Sequence, residues 1–309
     1  MKTENSGLKN QTLKEYQSRI NKVIDYIENN LGSDLTLETL SSVACFSSFH
    51  FHRLFHSMTG DTPANYIKKR RLISAANKMY HYPDIKISYI AYEFGFSGQS
   101  DFSRSFKAFF KTTPTAFMES KHQKKCLPLH LTENSQDASA TLNREYEKDI
   151  NIRYLEDYTV AYIRNSGLSK EHRNAIIENS FRKLYTWAAV RELIDKDSLV
   201  MGVTLDNPEI VSLEDCRHDT CLTLSQTAEP DGNIGIRRLT TKGRYVAFRF
   251  DSEDREFSKT FFKVIDYIYG CWMPENGFFP EDKPCVELYG KNPVDEHIYI
   301  ELLIPVRPA

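Results

Sequence analysis

Apolar residues recur along the first 120 positions with the spacing of one helical face. Ile20, Val23, Ile24, Ile27 and Leu31 form a single stripe from about Leu13, and Gly32 ends it. Residues 1–11 carry no stripe and are expected to be a disordered tail. Thr36 is a plausible N-cap for a short helix to about Ala44 that buries Leu37 and Leu40. "SSFHFHRLFHSMTG" predicts the next helix, and "TPANYIKKRRLISAANKMYH" a long one with Thr62 as cap, Pro63 at its first position and Pro83 beyond its end. A short helix at Ile87–Phe94 and a longer one at Gln99–Phe110 repeat the motif.

The two copies align. Leu37, Leu40, Ser41, Cys45, Phe46 and Ser47 match Ile87, Ile90, Ala91, Gly95, Phe96 and Ser97. After one inserted residue, Phe51, Arg53, Phe55, Pro63 and Tyr66 match Phe102, Arg104, Phe106, Pro114 and Phe117. Two helix–turn–helix units joined by one long helix predict an all-α domain over residues 12–120. Residues 121–148 are polar and aperiodic and read as a linker. From residue 149 to 309 the period changes to two. Strands are expected at "DINIRYL", "TVAYIRN", "SLVMGVT", "TCLTLSQ", "GRYVAFRF", "CVELYG" and "HIYIELLIPV", with helices near Lys170–Leu193 and Asp254–Cys271. That order predicts an α+β domain of two strand–helix–strand–strand repeats around a groove.

Each longer repeat helix carries two stripes. In the first, Phe51, Leu54, Phe55 and Met58 make a core stripe, and Phe49, His52, Arg53 and His56 lie one step round the cylinder. In the second, Phe102, Phe106 and Phe109 take the core, and Ser100, Ser103, Arg104 and Lys107 face outward. An exposed arginine among small polar groups suits the DNA major groove, where Arg bonds guanine in bidentate fashion. Lys68, Lys69, Arg70, Arg71 and Lys111 would add phosphate attraction. His52 and His56 at i, i+4 invite a zinc reading, but the second copy has no ligands at the matching places, so no metal or other cofactor is expected.

Charge sharpens this picture. The net −2 conceals 18 Lys and Arg against 11 Asp and Glu through Lys125, and 22 against 31 beyond it. The basic half is the one suited to a polyanion. No apolar run is long enough for a bilayer, which speaks against a membrane partner, and the six cysteines lack framework spacing, so a reducing, cytoplasmic setting is expected.

"LETLSSVACFSSFHFHRLFHSMTGDTPANYIKKRRLISAA" with "ISYIAYEFGFSGQSDFSRSFKAFFKTTPTAF" resembles the AraC-type DNA-binding domain over its whole length. The resemblance implies two recognition helices in successive major-groove segments of double-stranded DNA. Phe49, His52, Arg53 and His56 would serve one half-site, and Gln99, Ser100, Asp101, Ser103, Arg104 and Lys107 the other. It also implies transcription activation and contact with RNA polymerase. Cys45, Ser41, Lys111 and Met118 depart from the residues usual at their positions. From residue 149, "VAYIRNSG", "FRKLYTWAA", "MGVTLDNPEI", "CWMPENGF" and "VELYGKNP" resemble the GyrI-like domain, an arrangement similar to Rob-type regulators. That implies a small-molecule effector, a lipophilic cation, paired with Glu287. Tyr162, Trp187, Trp272, Phe278 and Tyr289 are the candidate walls. Two alternatives remain for this half: a protein-interaction handle, or a hydrolase of reactive small molecules using Glu287 with a tyrosine. No sequence motif of catalysis accompanies the second.

Overall fold

The computed structural model describes residues 2–126, 146–166, 173–207, 210–212, 215–251, 257–291 and 298–309. The N-terminal half is built of helices α1 (Lys2–Asn29), α2 (Leu37–Val43), α3 (Ser48–Thr59), α4 (Pro63–His81), α5 (Ile87–Glu93), α6 (Gln99–Phe110) and α7 (Pro114–Cys126). Two expectations change. Helix α1 runs through the stretch read as a tail, because a turn once nucleated propagates at little cost per residue. Helix α7 takes up the first residues assigned to the linker, and residues 127–145 lie outside the described ones.

The capping predictions hold. Thr36 and Thr62 accept from the backbone N–H groups of Thr39 and Asn65, and Ser47 does the same for His50. Two apolar clusters result, one per helix–turn–helix unit. Ile20, Val23, Ile27, Leu40, Phe51 and Phe55 form the first; Leu72, Met79, Ile90, Phe102, Phe106 and Phe117 form the second. Arg71 ties them, donating to the carbonyls of Leu31, Ser33 and Gly95.

Duplication also exposes two strained positions. Gly95 in the second turn has φ +68, and its counterpart Cys45 has φ +54; Gly60 after α3 has φ +79, and its counterpart Lys111 has φ +60. A side chain in the left-handed region costs roughly 1–2 kcal/mol, which glycine avoids at some cost in unfolded-state entropy. Cys45→Gly and Lys111→Gly are each expected to raise stability by about 0.5–1 kcal/mol in urea unfolding.

The C-terminal half carries strands β1 (Ile150–Leu155), β2 (Tyr158–Ser166), β3 (Val200–Thr204), β4 (Arg217–Thr223), β5 (Ile234–Leu239), β6 (Gly243–Asp251), β7 (Phe278–Pro280), β8 (Cys285–Lys291) and β9 (Ile298–Pro308). They form one antiparallel sheet in the order β1-β6-β9-β8-β3-β4-β2-β5, with β7 on β9. Helices α8 (Arg173–Ala189) and α9 (Phe257–Tyr267), the latter continued by a π-helical turn at Ile268–Trp272, pack on one face. On the other face Leu155 and Leu239, from opposite ends of the strand order, join Val160, Met201, Val203 and Leu303 in one cluster, so the sheet curls towards that side. Strands β5 and β7 were not expected, and β4 begins three residues before the predicted "TCLTLSQ".

Candidate functional site

The outward stripes are where periodicity puts them. On α3, Phe51 and Phe55 are fully buried while His52, Arg53 and His56 are exposed, and Phe49 is 74% exposed with Arg53 resting over its ring. On α6, Phe102, Ser105 and Phe106 are buried while Gln99, Ser100, Arg104 and Lys107 are exposed. Asp101 and Ser103 are half-buried, and the Ser97 hydroxyl donates to the Asp101 carboxylate at 3.1 Å. Phe109 departs from the expected core stripe. It sits in the last turn, overhangs the core at 39% exposure, and meets Phe110 edge-on.

Part of the expected phosphate-binding set is engaged elsewhere. Arg70 is buried at 5% and Arg71 caps carbonyls, so of the four consecutive basic residues only Lys68 is exposed, while half-buried Lys69 meets Asp215 at 3.5 Å. Among the described residues no group of three His, Cys, Asp or Glu is placed to hold a metal, and no helix is long and apolar enough to cross a membrane.

Glu287, expected to pair with an effector, lies on the helical face of the sheet. Register aligns Thr220, Gly202, Glu287 and Leu302 in one row across β4, β3, β8 and β9. Glu287 is 7% exposed, accepts a hydrogen bond from the Tyr289 hydroxyl at 2.6 Å, and lies 4.0 Å from Nε2 of His218. Gly202 makes the room: a Cβ there would come within 2.7 Å of His218 Nε2 and 3.2 Å of the Glu287 carboxylate. Phe181 of α8 closes on Tyr289 with ring centres 4.9 Å apart, and Ser180 and Asn165 link that helix to Thr220 on β4. A buried carboxylate beside an imidazole and two aromatic rings favours a ligand that brings positive charge and apolar surface together. His218 escaped the sequence reading, because only register carries it to Glu287.

Of the six expected pocket residues, the structure brings Glu287 and Tyr289 together. Tyr162 points to the opposite face of the sheet, where its hydroxyl donates to Asp25 of α1 at 2.6 Å. Trp272 stacks on Phe278 at 5.7 Å, and Phe278 pairs with Pro308 whereas Glu287 pairs with Leu302. Six residues of strand put that pair ~20 Å from the carboxylate. Trp187 packs among Leu184, Ala188, Leu193 and Ile234, under the guanidinium of Arg191. These three aromatics stabilise the helix–sheet layers, which is what large apolar rings on inward faces commonly do.

Comparison with known proteins matches a family model to each half of the chain. The GyrI-like small molecule binding domain matches residues 148–307, and a helix-turn-helix domain matches residues 40–120. "Uncharacterized HTH-type transcriptional regulator YbfP" of Bacillus subtilis is 37% identical over 102 residues, covering 33% of this chain and 34% of that one. "Probable transcription factor PqrA" of Proteus vulgaris is 34% identical over 102 residues, covering 32% and 83%. "Multiple antibiotic resistance protein MarA" of Escherichia coli is 32% identical over 111 residues, covering 36% and 87%. The matched region thus spans about a third of YbfP and most of PqrA and MarA. The chain belongs to the AraC-type helix-turn-helix transcription regulators and carries, over its C-terminal half, a GyrI-like small-molecule-binding domain.

Proposed function

We propose that this regulator reads a short asymmetric DNA site as a single chain and activates transcription when its C-terminal pocket holds a lipophilic cation. The observation that carries the DNA half is the paired exposure of Arg53 and Arg104 at matching positions of α3 and α6, each opposite a fully buried phenylalanine row. Phe49, His52 and His56 would accompany Arg53 at the bases, with Gln99, Ser100, Asp101, Ser103 and Lys107 beside Arg104. Contact with RNA polymerase, expected from the family resemblance, would use surface the duplex leaves open. Arg53→Ala and Arg104→Ala are each expected to weaken a duplex selected by the wild-type chain by about 1–3 kcal/mol, and to relax base choice in their own half-site only. Unchanged affinity in a fluorescence-anisotropy titration for both variants would sink the DNA reading.

For the pocket, the buried Glu287 carboxylate supports a cationic effector. The sheet order supports a two-repeat reading, because β2-α8-β3-β4 and β6-α9-β8-β9 fall symmetrically about the β3–β8 pair. Gly202 and Glu287 then occupy equivalent positions. One repeat supplies the charge and the other the space. Glu287→Gln should abolish thermal stabilisation by tetraphenylphosphonium while DNA affinity is kept. A protein handle would show no such stabilisation in either form, and a hydrolase would show turnover of an electrophile lost in the same variant.

A further inference from the structure

The face of the sheet opposite the pocket is occupied by the DNA-binding domain itself. Arg70 of α4 donates to Glu28 of α1 at 2.8 Å and to Asp206 after β3 at 2.9 Å; Arg217 of β4 donates to the same Glu28 oxygen and to Asp206, both at 2.8 Å. These four groups close a ring in which each domain supplies one cation and one anion. A second cluster lies beside it. Asp219 of β4 takes both Arg164 and Arg237, and Arg164 and Tyr162 reach across to Asp25 of α1. Val211 and Cys216 pack on Ile73 of α4, with Phe110 at the end of α6 and Ile210 alongside. The contact therefore touches both helix–turn–helix units and leaves Arg53 and Arg104 in solvent.

β4 belongs to both sites. Strand alternation sends His218 and Thr220 to the pocket and Arg217 and Asp219 to the ion clusters. Its neighbour β3 likewise runs from Gly202, under Glu287, to Asp206 two residues past its end. A strand cannot shift on one face alone, since its backbone is shared. Ionic contacts of this kind also have sharp geometric demands, unlike apolar packing, so small displacements matter.

We infer that β4 is a two-sided transmitter: a group entering beside Glu287 displaces His218 from its place over Gly202, and Arg217 and Asp219 carry that displacement to α1 and α4 of the DNA-binding domain. This rests on the pocket lying at Glu287, though its test needs no ligand. Gly202→Ala displaces His218 from within, since the added methyl collides with His218 and Glu287. The measurement is hydrogen exchange on the full chain, comparing wild type, Gly202→Ala and Glu28→Gln. Gly202→Ala should speed exchange of α1 amides around Asp25–Glu28 about tenfold, as Glu28→Gln does directly by opening the ring from the other side. The double variant should exchange no faster than Glu28→Gln alone, because the ring is already open. His218→Gln gives an independent entry should Gly202→Ala fold poorly, with the same pattern expected. Faster exchange confined to β3 and β4, with α1 unchanged in Gly202→Ala or His218→Gln, would overturn the transmitter. An additive double variant would do the same. Absence of tetraphenylphosphonium binding would instead remove the effector reading and leave this result standing.

Discussion

Asp206→Ala should cost about 3–5 kcal/mol in urea unfolding, a large loss for a single polar substitution. Asp206 is 3% exposed and bonds both Arg70 and Arg217, which are 5% and 8% exposed. Removing it leaves two guanidinium groups sharing Glu28, in a space from which water is largely excluded. The loss measures an uncompensated pair of cations and not the worth of the ring. Replacing all four members with apolar residues of similar size is expected to cost far less, because the desolvation they all bear would vanish with them. A quadruple variant as unstable as Asp206→Ala would contradict this account.

The same carboxylate sets an acid limit. Burial pushes the Asp206 carboxyl up, but the Arg70 and Arg217 guanidiniums outweigh it and hold it at about 2, below the ordinary 3.8. A depressed carboxyl stabilises the folded chain fully above the unfolded value and loses that contribution as pH falls towards the folded one. Glu28 shifts in the same direction, burial again being outweighed by Arg70 and Arg217. The contact should therefore persist through mild acid and weaken between about pH 4 and pH 2. Asp25 differs: burial raises it despite Arg164 and the Tyr162 hydroxyl, so Asp25→Asn should be the mildest acid-to-amide change in the two clusters.

Phe106→Ala is the second large effect, at about 3–5 kcal/mol. Its fully buried ring meets Phe102, Phe110 and Phe117 at centroid distances of 5.5, 4.5 and 5.5 Å. The lost contacts hold α6 against α7 and α4, so the cavity falls beneath the reading face. DNA affinity should drop along with stability, whereas Phe109→Ala, beside it in sequence but 39% exposed, should change unfolding by less than about 1 kcal/mol. Equal losses in the two variants would mean that the core of this unit lies elsewhere.

The helical half was legible because its signals are local. A cap, a stripe and a repeat are each read within a dozen residues, and Thr62, Phe51 and Phe102 do what their spacing says. The sheet was legible where apolar alternation runs unbroken, as in β6 and β9. Alternation missed the first three residues of β4, where "RHDTCLT" opens with three charged or ionisable residues and resembles a loop. Arg217 and Asp219 are buried because Glu28, Asp206 and Arg164 meet them, and His218 lies beside Glu287; no reading of seven residues reveals partners that lie up to 189 positions away. β5 was hidden for the same reason, since Arg237 reaches Asp219. The pocket divided similarly. Parity within "CVELYG" placed Glu287 beside Tyr289, but only pairing between strands put His218 near and sent Tyr162 away.

The matched cation and anion that each half brings to the ring have a consequence for how the protein leaves DNA. The grip on a duplex depends on phosphate charges in open water and fades steeply as counterions are added. The seam at Glu28 and Arg217 is largely shielded from solvent and neutral within itself, so dissolved ions screen it little. Rising ionic strength should detach the molecule from its promoter in one piece, with the sensor still clasped to the reader.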